Sequence, residues 1–134
     1  MAFGPDGEEL LGTDRGAILR GADREAFSSQ AGPVVDLAAG QRLLASVTEQ
    51  GTVRLHDLAT GEWVGEPLPT GRAGPVQFSP DGLLMTRSDA GVVAWDLDTR
   101  SWPDKACRAA GRRLTEGEWG QYLPGRPYRP ACRP

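Results

Sequence analysis

The strongest constraint on what this chain can fold into is a turn that occurs twice. Phe3-Gly4-Pro5-Asp6-Gly7 and Phe78-Ser79-Pro80-Asp81-Gly82 carry the same Pro-Asp-Gly corner after an apolar residue, and Leu37-Ala38-Ala39-Gly40 is a degraded copy between them. A second signal recurs at a similar interval. It is a glycine turn before an apolar run, at Asp14 to Leu19, Glu49 to Leu55 and Asp89 to Trp95, with the glycines at Gly16, Gly51 and Gly91. A third closes the run, as Leu55-His56-Asp57-Leu58 and again as Ala94-Trp95-Asp96-Leu97. Spacings of 33 to 42 residues between equivalent glycines are the mark of supersecondary units that bury their apolar faces on one another.

Each unit reads as four short strands. In the middle unit they run over about Pro33 to Leu37, Arg42 to Val47, Thr52 to Asp57 and Glu62 to Val64. The third strand alternates, with Val53 and Leu55 on one face and Arg54 and His56 on the other. The 18 Gly and 11 Pro in 134 residues suit many strands joined by turns, and Pro falls at turns and strand starts, where no ladder hydrogen bond is lost. His56 stands where the next unit has Trp95, so the expectation is a surface-strand residue replacing that Trp.

Units of this length, with Phe-Ser-Pro-Asp-Gly after the first strand and Trp-Asp-Leu closing the third, resemble WD40 repeats. Val76 to Trp102 is the nearest match and Val35 to Val64 the next. The resemblance implies an all-β fold: a partial WD40-like β-propeller of about three four-stranded antiparallel blades, the first incomplete, with a short helical C-terminal extension. The blades would occupy about residues 1–30, 31–72 and 73–102, and residues 103–134 would form a tail packing on them. Structural repeat positions would be Gly51, Asp57, Pro80, Asp81, Gly82, Gly91, Trp95 and Asp96. The Gly-His pair that often opens such repeats is replaced by Ala-Gly-Pro-Val at 31–34 and 73–76, so Asp57 and Asp96 need partners other than that His. The phase of the repeat at Met1 gives a further expectation, that the chain starts with a unit already under way.

The pattern changes after Trp102. Cys107, Ala110 and Leu114 fall at helical spacing. Thr115 and Glu118 form a capping-box signature, and Trp119, Tyr122 and Leu123 follow on one helix face until Pro124-Gly125 stops it. The run from Ala106 to Cys132 is similar to the C-terminal extension of many bacterial, particularly actinobacterial, WD40 proteins. In those the propeller is a sensor or scaffold, often joined to a nucleotide-binding, protease-like or kinase module. Cys107 and Cys132 are the only cysteines. Two readings stay open for them: a disulfide, whose loop closure is worth about 3 kcal/mol, or two packed thiols, which a cytosolic location favours. Trp119 and Tyr122 are candidate interaction anchors, against the alternative of packing residues.

Chemistry is sparse. His56 is the single histidine, and nothing local suggests a nucleophile and acid to go with it. His56, Cys107 and Cys132 have no zinc-ligand spacing. A Gly-x-x-x-x-Gly-Lys loop is missing, and Asp96-Leu97-Asp98 starts like a calcium loop but lacks its central Gly and final acid. Residues 1–102 hold 8 Arg against 15 acids, and residues 103–134 hold 7 Lys and Arg against 3 acids. The basic tail lacks the dense clustering of a phosphate-binding arm. No cofactor, metal, nucleic acid, membrane or small-molecule substrate is expected, and with no secretory signal the default location is cytoplasmic. The expected function is a non-enzymatic protein-protein interaction or scaffold module. Its partner would be protein: further blades, a second copy or another polypeptide. The alternative is the regulatory end of a multidomain signalling ATPase, protease or kinase.

Overall fold

In a computed structural model, which describes residues 1–130 and 132, the chain is mostly β, with three antiparallel sheets and two short helices. It divides into two compact units, Met1–Leu97 and Asp98–Pro134. The first holds every strand of the described residues. Sheet A comprises β1 (Ala2–Phe3), β2 (Glu9–Gly12), β3 (Ala17–Arg20) and β4 (Glu25–Ser29). Sheet B comprises β5 (Val34–Ala39), β6 (Leu43–Thr48), β7 (Thr52–Asp57) and β8 (Leu68–Pro69). Sheet C comprises β9 (Val76–Phe78), β10 (Leu84–Ser88) and β11 (Gly91–Trp95). Each sheet is a meander with neighbours in sequence order. The described residues form no closed barrel or propeller.

The turns fold as their residues dictate. Gly7 and Gly82 have φ of +78° and +87°, the left-handed region that glycine enters without a Cβ penalty. Their amides close onto the Gly4 and Ser79 carbonyls at 3.0 and 2.9 Å. Gly16 and Gly51 are required twice over. Both have positive φ, and an added Cβ would lie 2.1 Å from the Gln30 carbonyl oxygen and 2.3 Å from the Arg72 amide nitrogen. The chain leaving the fourth strand runs over each glycine, and the Gln30 and Thr70 amides bond to the Gly16 and Gly51 carbonyls. Gly91 differs: it pairs with Ser88 as the first residue of β11, across the shorter Asp89-Ala90 turn.

Two expectations are corrected. Sheet C has three strands among the described residues, not four, because after Trp95 the chain turns at Asp98–Ser101 and enters a helix with Pro103 in its first turn. The fourth strand of sheet B is broken: Trp63 makes one isolated bridge to His56, and β8 joins β7 further on, at Val53 and Thr52.

Pairing registers align the sheets residue by residue. Ala39, Leu44 and His56 form a row in sheet B, and Phe78, Leu84 and Trp95 form its counterpart in sheet C. Alternation then sends one set of side chains toward each neighbouring sheet. Leu10, Ile18, Leu37, Leu44 and Leu58 make one core cluster between sheets A and B. Ala45, Val47, Val53, Leu55, Val76 and Leu84 make the second, between sheets B and C. Sheet B therefore packs against a sheet on both faces, while sheets A and C each pack against a sheet on one.

The second unit holds α1 (Trp102–Ala110) and α2 (Glu116–Tyr122). Gly111, at φ +65°, ends α1 by donating its amide to the Cys107 carbonyl, so Leu114 lies beyond the helix, contrary to its spacing. Both arms of the Thr115–Glu118 capping box form at the start of α2.

Candidate functional site

The polar centre of the first unit lies between sheets A and B. β7 presents His56 toward sheet A, where β4 supplies Ser28, and β6 supplies Ser46 beside it. Ser28 Oγ is 2.9 Å from His56 Nδ1, and Ser46 Oγ is 2.8 Å from Nε2. Ser46 donates to Gln30 Oε1 at 2.6 Å, so its oxygen accepts from Nε2–H and Nδ1 accepts the Ser28 hydroxyl. His56 is fully buried. The surface position expected for it is thereby overturned: alternation fixes which face His56 occupies, and sheet A covers that face. Burial, with Arg54 nearby, lowers its pKa to about 4. Trp95, its counterpart, donates its indole N–H to Thr86 at 2.8 Å, and Thr86 is the counterpart of Ser46.

Ser28 and His56 have the spacing of a nucleophile and base. Yet an imidazole of pKa about 4 is a weak base near neutrality, and its second nitrogen faces a serine where an orienting carboxylate would be needed. Ser28 lines an open groove of about 580 Å³ with Phe27, Ser29, Glu62 and Trp63, among others; His56 does not. The network thus forms a polar seam that links β4 and Gln30, at the end of sheet A, to β6 and β7 of sheet B.

The remaining repeat positions serve turns and packing. Asp57 Oδ1 accepts from the Ala59 and Thr60 amides at 2.8 and 3.1 Å, so its partners are local. Pro80, Asp81 and Gly82 form the corner before β10, where Ser79 Oγ donates to the Asp81 carboxylate. Asp96 follows β11 directly. Asp36 ties sheets B and C by accepting from the Val76 amide at 2.9 Å. Trp63 is half-exposed, donates to the Ser29 carbonyl at 3.0 Å and carries the Arg54 guanidinium 4.0 Å above its ring.

Within the second unit, Cys107 and Cys132 are joined in a disulfide with 5.4 Å between their Cα atoms. Trp119 is used internally: its indole donates to the Arg126 carbonyl at 3.0 Å, and Tyr128 meets it edge-on at 5.7 Å. Tyr122 is 66% exposed. The Arg112 guanidinium, with the Thr115 amide, holds the Glu118 carboxyl at about 2. Among the described residues no three His, Cys, Asp or Glu side chains gather to hold a metal ion, and no helix is long and apolar enough to cross a membrane.

Sheets A and C each have one open face; the phase of the repeat at Met1 points to the first, and sequence reasoning missed the second. Phe3 is 61% exposed on the first and Val92 71% exposed on the second. Phe3 matches the half-buried Phe78, as the shared Pro-Asp-Gly corner already indicates, and the registers match Val92 to the buried Val53.

No family model matches the chain. An aligned stretch of 83 residues is 39% identical to telomerase protein component 1 of Rattus norvegicus; it takes in 53% of this chain and 3% of that protein. Among solved structures, the computationally designed Ika4 protein is similar in fold. It superposes with a TM-score of 0.55 at 17% identity, over 66% of this chain and 59% of its own.

Proposed function

We propose that the chain is a non-enzymatic protein-protein interaction or scaffold module, the C-terminal part of a WD40-type propeller. The observation that carries this reading is the repetition of one packing rule at both internal interfaces. In each, the Leu-bearing row of one sheet (Leu44, then Leu84) is buried on its predecessor, and the rule then stops at two open faces. Closed propellers run to four to eight blades, so three sheets call for more. Those would be further blades of a longer polypeptide, another polypeptide or a second copy, and Tyr122 is a further contact point on the second unit. The buried, neutral His56 supports the non-enzymatic half of the reading. Cytoplasm remains the proposed location, although a disulfide is better kept in an oxidising compartment.

The test combines light scattering with binding of an apolar dye on the isolated chain. Concentration-dependent association, or a monomer that binds dye, is the expected outcome. A dispersed monomer that excludes dye and unfolds in one cooperative step overturns the reading.

A second reading, the regulatory end of a multidomain signalling protein, is favoured by one finding: the matched stretch is 3% of its rat relative. Reading the coding DNA upstream of Met1 tests it. Further Pro-Asp-Gly and Trp-Asp-Leu units followed by an effector domain are expected, and their absence overturns it.

A further inference from the structure

The two open faces are counterparts of surfaces already buried inside the chain. On sheet A, Phe3 pairs with Glu9; the matching pairs, Ala39 with Leu44 and Phe78 with Leu84, pack on the preceding sheet. On sheet C, Met85 pairs with Ala94 and Arg87 with Val92. The matching pairs in sheet B, Ala45 with Leu55 and Val47 with Val53, are buried under the following sheet. Each open face thus keeps the apolar positions its role requires, at Phe3, Met85, Val92 and Ala94.

Each also carries one charge where the interior has none. Glu9 occupies the place of Leu84, and Arg87 the place of Val47. Leu84 and Val47 belong to the same core cluster. If sheet A of one molecule stacked on sheet C of another by the internal rule, Glu9 and Arg87 would face each other with opposite sign. A single charge at either place would instead be desolvated without a partner, which is costly.

We infer that two copies of this chain close on each other head to tail, each Ala2–Ser29 sheet packing on the Val76–Trp95 sheet of the other, with Glu9 paired to Arg87. The inference rests on the propeller reading and specifies its partner as a second copy. Two copies bring six sheets, within the range in which propellers close; one copy or three copies fall outside it. Because the contact joins two different faces, it forms twice in the closed pair and leaves neither face open.

Light scattering is expected to give twice the 14.3 kDa mass of one chain. Glu9→Arg and Arg87→Glu should each raise the dimer dissociation constant by about tenfold or more, and the double swap should restore it. Orientation is read by oxidising Glu9→Cys and Arg87→Cys variants: the mixture should cross-link, whereas neither variant alone should. A persistent monomer, a mass other than two chains, or dissociation indifferent to the swaps overturns the inference. A persistent monomer that binds the apolar dye leaves the interaction-module reading standing, whereas one that excludes dye removes both.

Discussion

At the scale of single residues, His56 links the chain's stability to pH. Sheet A buries it and two serine hydroxyls satisfy it as a neutral ring, so protonation would leave a cation out of water with a hydroxyl donor pointed at it. Its folded pKa of about 4 lies below the unfolded value of 6.5. The unfolded chain therefore binds the extra proton first. The resulting stability is fully present above about pH 6.5 and is lost as pH falls toward 4, to a total of roughly 3 kcal/mol. As the single histidine in the sequence, it gives one imidazole signal by NMR, expected not to titrate between pH 8 and about 5. A midpoint near the ordinary value would show a solvated ring and undo the buried seam. Subtracting the denaturation profile of a His56→Leu variant from that of the wild type isolates this contribution from the carboxylates.

At the scale of elements, the second unit depends on a covalent tie and a capped helix more than on burial. Neither helix holds a buried residue, so hydrophobic packing supplies little there. The Cys107–Cys132 link spans 25 residues and in the loop-entropy account contributes about 3 kcal/mol. Reducing it should lower the helical circular dichroism and unfold α2 first; a spectrum unchanged by reductant would show that the helices stand without it. How legible such elements are in the sequence follows from how local their causes are. The Thr115–Glu118 box and the two Pro-Asp-Gly corners lie within a few residues and can be read directly. The broken fourth strand of sheet B could not be read, since β8 is placed by pairing with Val53 across a long connection. The three-stranded form of sheet C was hidden for a similar reason: Asp98–Ser101 has turn chemistry, but only the helix behind Pro103 shows that no strand returns among the described residues. His56 is buried against expectation because period-two alternation assigns a face without telling whether another sheet covers it.

At the scale of the whole molecule, the decisive asymmetry is that sheet B alone has sheets on both sides. Leu44 through Thr48 on β6 are all buried, with Leu44 in one core cluster and Ala45 and Val47 in the other. Opening β6 or β7 must therefore disrupt both clusters at once, whereas β1, two residues long, and the outer edge of β11 can open while one cluster survives. Local opening free energies follow such differences in buried contact. Hydrogen exchange should then be slowest at the amides of β6 and β7, faster in β10, and fastest in β1 and β11. Leu44→Ala, which empties a fully buried site and should cost about 2–5 kcal/mol, should speed exchange in sheets A and B more than in sheet C. If β2 and β3 instead outlasted β6 and β7, stability would reside in sheet A itself. The stacking that makes the open faces meaningful would then contribute little.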